Sequence, residues 1–226
     1  MEYLNKTKNS KIKSLFIDKE NSSDKEIIFK EIDIKLSNDL LRILINEKFE
    51  IKNKENFSDI KNNFEKTLNN YNKYVSFINE IRNYRLKKFD KNSEVHKNML
   101  LDIWFKLKEN TDIKLLDKKW MEIGFQGNDP STDFRGAGIL ALYNLNDFVV
   151  KKSEISEKIY NDATDKIKWY FFASCGINIT GALIDLYEKY EFEKIVLKYF
   201  DNNNLLSLID KQYELLFVGF NNHWNN

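Results

Sequence analysis

Residues 120–138 read Trp-Met-Glu-Ile-Gly-Phe-Gln-Gly-Asn-Asp-Pro-Ser-Thr-Asp-Phe-Arg-Gly-Ala-Gly and interrupt a chain that otherwise reads as helix. Those positions hold Gly124, Gly127, Gly136 and Gly138 out of seven glycines, the only proline (Pro130), and one of the few arginines. The others are Arg42, Arg82 and Arg85, so an arginine at 135 in a lysine-dominated chain calls for a physical reason. A guanidinium is a planar, permanently charged fork that an ammonium cannot reproduce.

Outward from this turn, apolar residues recur at helical spacing. Upstream, Leu115, Leu116, Trp120 and Ile123 form one stripe, ended by Gly124, and Leu100, Leu101, Trp104 and Leu107 form another. Earlier stripes run through Leu40, Leu41, Leu44 and Ile45 behind the caps Ser37-Asn38-Asp39, and from Ile60 through Phe64, Leu68 and Tyr71 to Tyr84. Downstream, Ile139 to Phe148, Ser153 to Tyr160, Lys166 to Tyr190, Ile195 to Phe200 and Leu205 to Trp224 read as helices. The segment 166–190 is apolar on most sides and is expected to be central. Strand alternation is nearly absent. The expected fold is all-α: one compact multi-helix domain over residues 27–226, with a polar, flexible N-terminal arm over 1–26.

Composition narrows the chemistry. The 226 residues carry a formal net charge of +1, with no general field to attract nucleic acid. The single cysteine, Cys175, rules out an internal disulfide and lies in an apolar run, which suits a buried, inert thiol in a reducing compartment. No apolar run is long enough to span a bilayer, and the N-terminus has no secretory pattern. The location expected is cytoplasmic, with at most transient, peripheral recruitment to membranes through a partner.

The turn has no Gly-Lys-Ser/Thr of a phosphate-binding loop and no dinucleotide fingerprint. His96 and His223 stand far apart in sequence, without ligand-like neighbours, so no metal is expected. No serine has a convincing His–Asp pattern. Gly124 suits a left-handed helix end, Gly127 a second unusual backbone angle, and Asp129-Pro130 a helix start, with Thr132 or Asp133 as alternative caps. Gly136 and Gly138 suggest close approach of another helix or of a partner's backbone. Two readings of Arg135 stay open: a structural arginine paired with Asp133 or another carboxylate, or an arginine delivered to a nucleotide bound in another protein.

The pattern Trp120-x-x-Ile-Gly-Phe-Gln-Gly-x-Asp-Pro-x-Thr-Asp-Phe-Arg-Gly-x-Gly-x-Leu-x-Leu-x-Asn-Leu-x-x-Phe148 resembles the signature of the ELMO domain, in its ELMO-domain-containing (ELMOD-type) branch. Phe172-Ala173-x-x-Gly176-Ile177-Asn178-Ile179-Thr180 resembles a second block of that family, and Phe217, Phe220 and Trp224 its ending. The similarity covers about residues 99–226. Ala137 departs from the methionine many members carry, and the family gives the Lys/Asn-rich arm no role.

The resemblance implies an all-helical protein that acts as a GTPase-activating protein for an Arf-family (Arf or Arf-like) small GTPase in its GTP-bound state. The proposed catalytic arginine of the family's Asp-Phe-Arg-Gly motif falls on Arg135. The chain would need no cofactor of its own, because GTP and Mg would be bound by the partner. Gly124, Phe125, Gln126, Gly127, Asp129, Thr132, Asp133, Gly136 and Gly138 would shape the loop or meet the partner, with Asp133 or Asp129 holding Arg135 until docking. Trp120, Phe125 and Phe134 can each be core anchors or interface hot spots, with core favoured for Trp120 and Phe134. Asn178 is expected as a buried hydrogen-bond bridge, and Gly176 and Gly181 as sites of tight helix crossing. His223 and Trp224 are expected to cover the bundle end. The alternative is a non-catalytic GTPase effector, or an adaptor or scaffold module of the ELMO type.

Overall fold

The computed structural model of the chain describes residues 54–110, 112–189, 191–200 and 204–226. The arm expected over 1–26 and the helix expected from Ser37 lie outside them. Seven α-helices occupy the described residues, without a strand: α1 Lys54–Leu86, α2 Glu94–Lys108, α3 Ile139–Lys151, α4 Ser153–Ala163, α5 Phe172–Glu188, α6 Glu193–Tyr199 and α7 Leu205–Asn225. Two tighter 3-10 segments, Lys118–Ile123 and Pro130–Arg135, fill the span between α2 and α3. Two compact units divide the chain, with the boundary after Val75, inside α1. The described part of the first unit is helix only; everything below concerns the second.

Local chemistry sets the helix ends. Ser93 caps α2 by accepting the His96 amide at 3.4 Å, and Glu94 places a carboxylate at the positive end of the helix dipole. At the other end Glu109 adopts a left-handed conformation and its amide donates to the Phe105 carbonyl. Asp117 caps the first 3-10 segment through the Lys119 amide at 2.9 Å, and Gly124 ends it at φ 89°. That segment is 3-10 rather than the α-helix its periodicity suggests. Trp120 sits edge-on between Trp104 and Phe125, with ring centroids 5.6 Å from each, while its indole donates to the Lys114 carbonyl. The packing of three rings, not helical propensity, decides the path there.

The hub of the unit is α3, which packs against α2, α4, α5 and α7. Its Leu140, Leu142, Leu145, Phe148 and Val149 are buried. Gly176 lets α5 come close: a Cβ there would lie 2.5 Å from the Tyr213 hydroxyl and 2.9 Å from Leu145. Gly181 faces open space, so the expected second tight crossing is absent at that glycine. Between α3 and α5 the buried Asn144 donates to the Thr180 hydroxyl at 3.0 Å. Thr180 in turn donates to the Gly176 carbonyl, as helical threonines do. The buried amide bridge is thus Asn144, whereas Asn178, expected in that role, is exposed.

A further correction concerns residues 166–190. The helix begins only at Phe172; residues 165–171 form a turn and an extended approach. Asp165 accepts the amides of Ile167 and Lys168 at 2.8 and 3.1 Å, which folds the chain back on itself and stops a helix from propagating. The centre of the unit therefore lies on α3 with the start of α5 beside it. Cys175 is part-buried, and burial pushes its thiol up to about 12, which leaves it protonated and unreactive at neutral pH. Trp224, expected to cover the bundle end, is about half exposed and donates to the Lys168 carbonyl at 2.8 Å, while His223 is exposed.

Candidate functional site

The glycine-rich stretch forms a corner whose polar groups are mostly satisfied within the corner itself. Asp129 caps the second 3-10 segment, accepting the Ser131 amide at 3.1 Å and the Ser131 hydroxyl at 2.5 Å, with Pro130 in the first turn. Its second oxygen meets Lys91 at 2.6 Å. Partial burial pushes the Asp129 carboxyl up, but the hydrogen bonds from Lys91 and Ser131 outweigh it and hold the group below its ordinary value. Thr132 is exposed and donates to the Asp129 carbonyl at 2.8 Å, so Asp129, not Thr132 or Asp133, is the cap.

Asp133 is buried, and it reaches across the corner to accept the Gln126 amide at 2.7 Å. Its other oxygen takes a long hydrogen bond, 3.4 Å, from the Thr132 hydroxyl. Both candidate carboxylates are thus engaged elsewhere, and the expected ion pair from Asp133 or Asp129 to Arg135 does not form. Arg135 ends the 3-10 segment with its side chain exposed; Nη1 donates to the Thr132 carbonyl at 3.3 Å, and no carboxylate pairs with it among the described residues. No salt bridge among the described residues locks Arg135 in place.

The glycines divide into two kinds. At Gly124, φ is 89° and a Cβ would fall 2.4 Å from the Phe172 amide nitrogen. At Gly138, φ is 64° and a Cβ would fall 2.0 Å from the Arg85 carbonyl oxygen. Both positions demand glycine. The neighbour is this chain's own backbone in each case: the start of α5 and the end of α1. Gly127 and Gly136 have neither a positive φ nor an atom close to a Cβ, so the second unusual angle expected at Gly127 is absent. Gly136 lies beside Arg135, exposed and open.

Trp120, Phe125 and Phe134 are all fully buried, which makes Phe125 a core anchor as well. Phe125 and Phe134 meet edge-on with centroids 6.0 Å apart. The exposed set at the corner is Gln126, Asn128, Thr132, Arg135 and Gly136. Sequence reasoning missed the Asp133–Gln126 bond; the signal available was a carboxylate seven residues after the amide of a glycine-flanked turn, too general to single out. Among the described residues no three His, Cys, Asp or Glu side chains gather as metal ligands, and no helix is long and apolar enough to cross a membrane.

Helices and corner together define an all-α protein that presents, on a braced turn, a guanidinium paired with no carboxylate among the described residues, beside a glycine with open space around it. The ELMO/CED-12 family model matches residues 79–226, and the chain belongs to that family. Mouse ELMO domain-containing protein 1 is 37% identical over 131 residues, covering 50% of this chain and 40% of that protein. ELMO domain-containing protein B of Dictyostelium discoideum is 35% identical over 139 residues, covering 61% of this chain and 48% of that protein. Mouse ELMO domain-containing protein 2 is 36% identical over 108 residues, covering 47% and 37% respectively. The chain thus spans less than half the length of each of these relatives. No solved structure matches.

Proposed function

We propose that this chain is a GTPase-activating protein for an Arf-family small GTPase, and that Arg135 enters the partner's nucleotide site in trans. The observation that carries the reading is the state of Arg135: exposed, at the end of a braced turn, and bound among the described residues to the Thr132 carbonyl alone. Membership of the ELMO/CED-12 family and the similarity of the Asp133-Phe134-Arg135-Gly136 motif to that of the ELMOD-type branch support it.

The chemistry follows from charge. During GTP hydrolysis, negative charge shifts toward the oxygens around the β–γ bond, and a guanidinium held there in a water-excluded interface is worth a factor of about 10³–10⁵ in rate. A lysine cannot bridge two such oxygens in one plane. Asp133 pins the backbone at Gln126 and so braces the turn that carries Arg135. Gly136, without a side chain, would let the partner's backbone come near the guanidinium.

Single-turnover hydrolysis by a panel of GTP-loaded Arf-family proteins, with and without this protein, tests the reading. Acceleration by the wild type, lost in Arg135→Ala and in Arg135→Lys, supports it. Tight binding to a GTP-loaded partner with no acceleration would replace it by an effector or adaptor role.

A further inference from the structure

We propose that the segment running from Asp165 to Phe171 is a membrane-contacting ridge, which lowers Ile167, Trp169 and Phe171 into the interface of an anionic bilayer. This goes beyond GTPase activation and does not depend on it.

The turn at Asp165 leaves residues 166–168 exposed, and from Trp169 onward the side chains alternate, Trp169 and Phe171 outward and Tyr170 and Phe172 inward. The inner side is anchored. The Tyr170 amide donates to the Ala163 carbonyl at 3.0 Å, and its hydroxyl donates to Asn221 at 2.7 Å. Asn221 in turn donates to Asp162 at 2.7 Å, and Phe172 is buried at the start of α5. The outer side carries Ile167, Trp169 and Phe171, which are 87%, 57% and 54% exposed. Trp169 and Phe171 brace each other edge-on at 5.3 Å. Trp224, about half exposed, is tied to the segment through the Lys168 carbonyl. Scattered exposed apolar residues are ordinary, but a run of them held in a fixed conformation marks an interaction surface.

Charge selects the occupant. Lys166 and Lys168 alternate with the apolar residues and both are exposed, with the Lys168 ammonium resting on the Asn225 carbonyl. Lysine is depleted at the cores of protein interfaces, where its ammonium must be dehydrated. At a membrane the same ammonium stays at headgroup depth and meets anionic lipid while its stem lies along the apolar region. Indole and phenyl rings favour that depth too. The one carboxylate in the segment, Asp165, is turned onto the amides of Ile167 and Lys168, which hold it below its ordinary value. The ridge therefore presents apolar tips flanked by cations, a match for anionic lipid rather than for a protein groove.

The test is co-sedimentation of the full chain with phosphatidylcholine vesicles containing about 30 mol % phosphatidylserine, and with phosphatidylcholine alone. The paired variant Ile167→Ser, Trp169→Ala is expected to lose about tenfold in partitioning to the anionic vesicles. The paired variant Lys166→Glu, Lys168→Glu should lose the preference for phosphatidylserine. In a Trp224→Phe background, Trp169 is the exposed tryptophan, because Trp104 and Trp120 are buried. Its emission should shift to the blue on adding vesicles and be quenched by brominated lipid. Circular dichroism melting of each variant checks the fold. No sedimentation, sedimentation unchanged in the Ile167/Trp169 variant, or an unmoved Trp169 emission would each overturn the proposal, as would concentration-dependent self-association through the ridge.

Discussion

The carbonyl oxygen of Gly124 accepts two hydrogen bonds from Ser174, one from the amide at 3.0 Å and one from the hydroxyl at 2.8 Å. The end of the first 3-10 segment is thereby stitched to the first turn of α5, where helix amides lack partners of their own. A Cβ on Gly124 would strike the Phe172 amide nitrogen, so the stitch and the glycine require each other. Gly124→Ala is expected to destabilise by more than about 2 kcal/mol, since it combines a positive φ with a backbone collision. Ser174→Ala, which removes only the hydroxyl bond, should cost about 1 kcal/mol. Urea unfolding of the two variants measures both, and equal losses would show that the close approach is not what makes the glycine necessary.

Gly138 and Gly136 offer a contrast two residues apart. Gly138→Ala drives a Cβ into the Arg85 carbonyl at 2.0 Å and should lower the melting temperature sharply. Gly136 has helical φ and ψ of −83° and −42° with open space around it. Gly136→Ala should leave stability unchanged or raise it by about 0.5 kcal/mol through reduced freedom of the unfolded chain. If Gly136 faces a partner, the same substitution should weaken GTPase stimulation in a protein that is no less stable.

Asp133 and Arg135 should separate stability from activity. Asp133→Ala leaves the Gln126 amide without its carboxylate and is expected to cost about 2 kcal/mol, the range for hydrogen bonds to charged groups. Arg135→Ala removes an exposed side chain with one long bond to a carbonyl, and should change the melting temperature little. Thermal unfolding and single-turnover hydrolysis run on both proteins would expose the opposite pattern if Arg135 were structural.

Acid should stabilise one contact on the far side of α3. Asp210, on α7, shares a hydrogen bond with Asp147, on α3; burial first, and then the Asp147 charge, push its carboxyl up to about 6. Lys151, which pairs with Asp147 at 2.6 Å, and Lys152 oppose the rise. The unfolded chain releases this proton near pH 4. Between roughly pH 4 and 6 the folded state therefore binds more protons, and this group's contribution to stability declines as pH rises. Asp210→Asn, which keeps the neutral form at all pH, should stabilise at pH 7.5 by on the order of 1 kcal/mol after solvent screening, and hardly at pH 4. Melting curves at the two pH values decide it.

Helix existence and the location of the corner were legible in sequence because both depend on local signals: apolar spacing, Asp129-Pro130 and the glycines. What the corner does with its carboxylates was not legible. Asp133 could equally serve an amide or a guanidinium by spacing, and burial against Gln126 decides between them. The helix reading of 166–171 failed for a related reason. Ile167, Trp169 and Phe171 look like core in a one-dimensional pattern, and only the turn at Asp165 turns them outward. Asn178 failed too, since its apolar neighbours on α5 cover the opposite face.

Under the proposed function, the engagement of Asp129 and Asp133 with their own turn has an electrostatic consequence for turnover. Arg135 has no counterion among the described residues, so its attraction for a docked partner would be set by the anion that partner presents. Under the proposed reading, the affinity would be greatest while the charge of the transferring phosphate is in place, and would fall once inorganic phosphate departs. A clamp of this kind loosens as its own product leaves, and it would tell the two nucleotide states of a partner apart by charge alone.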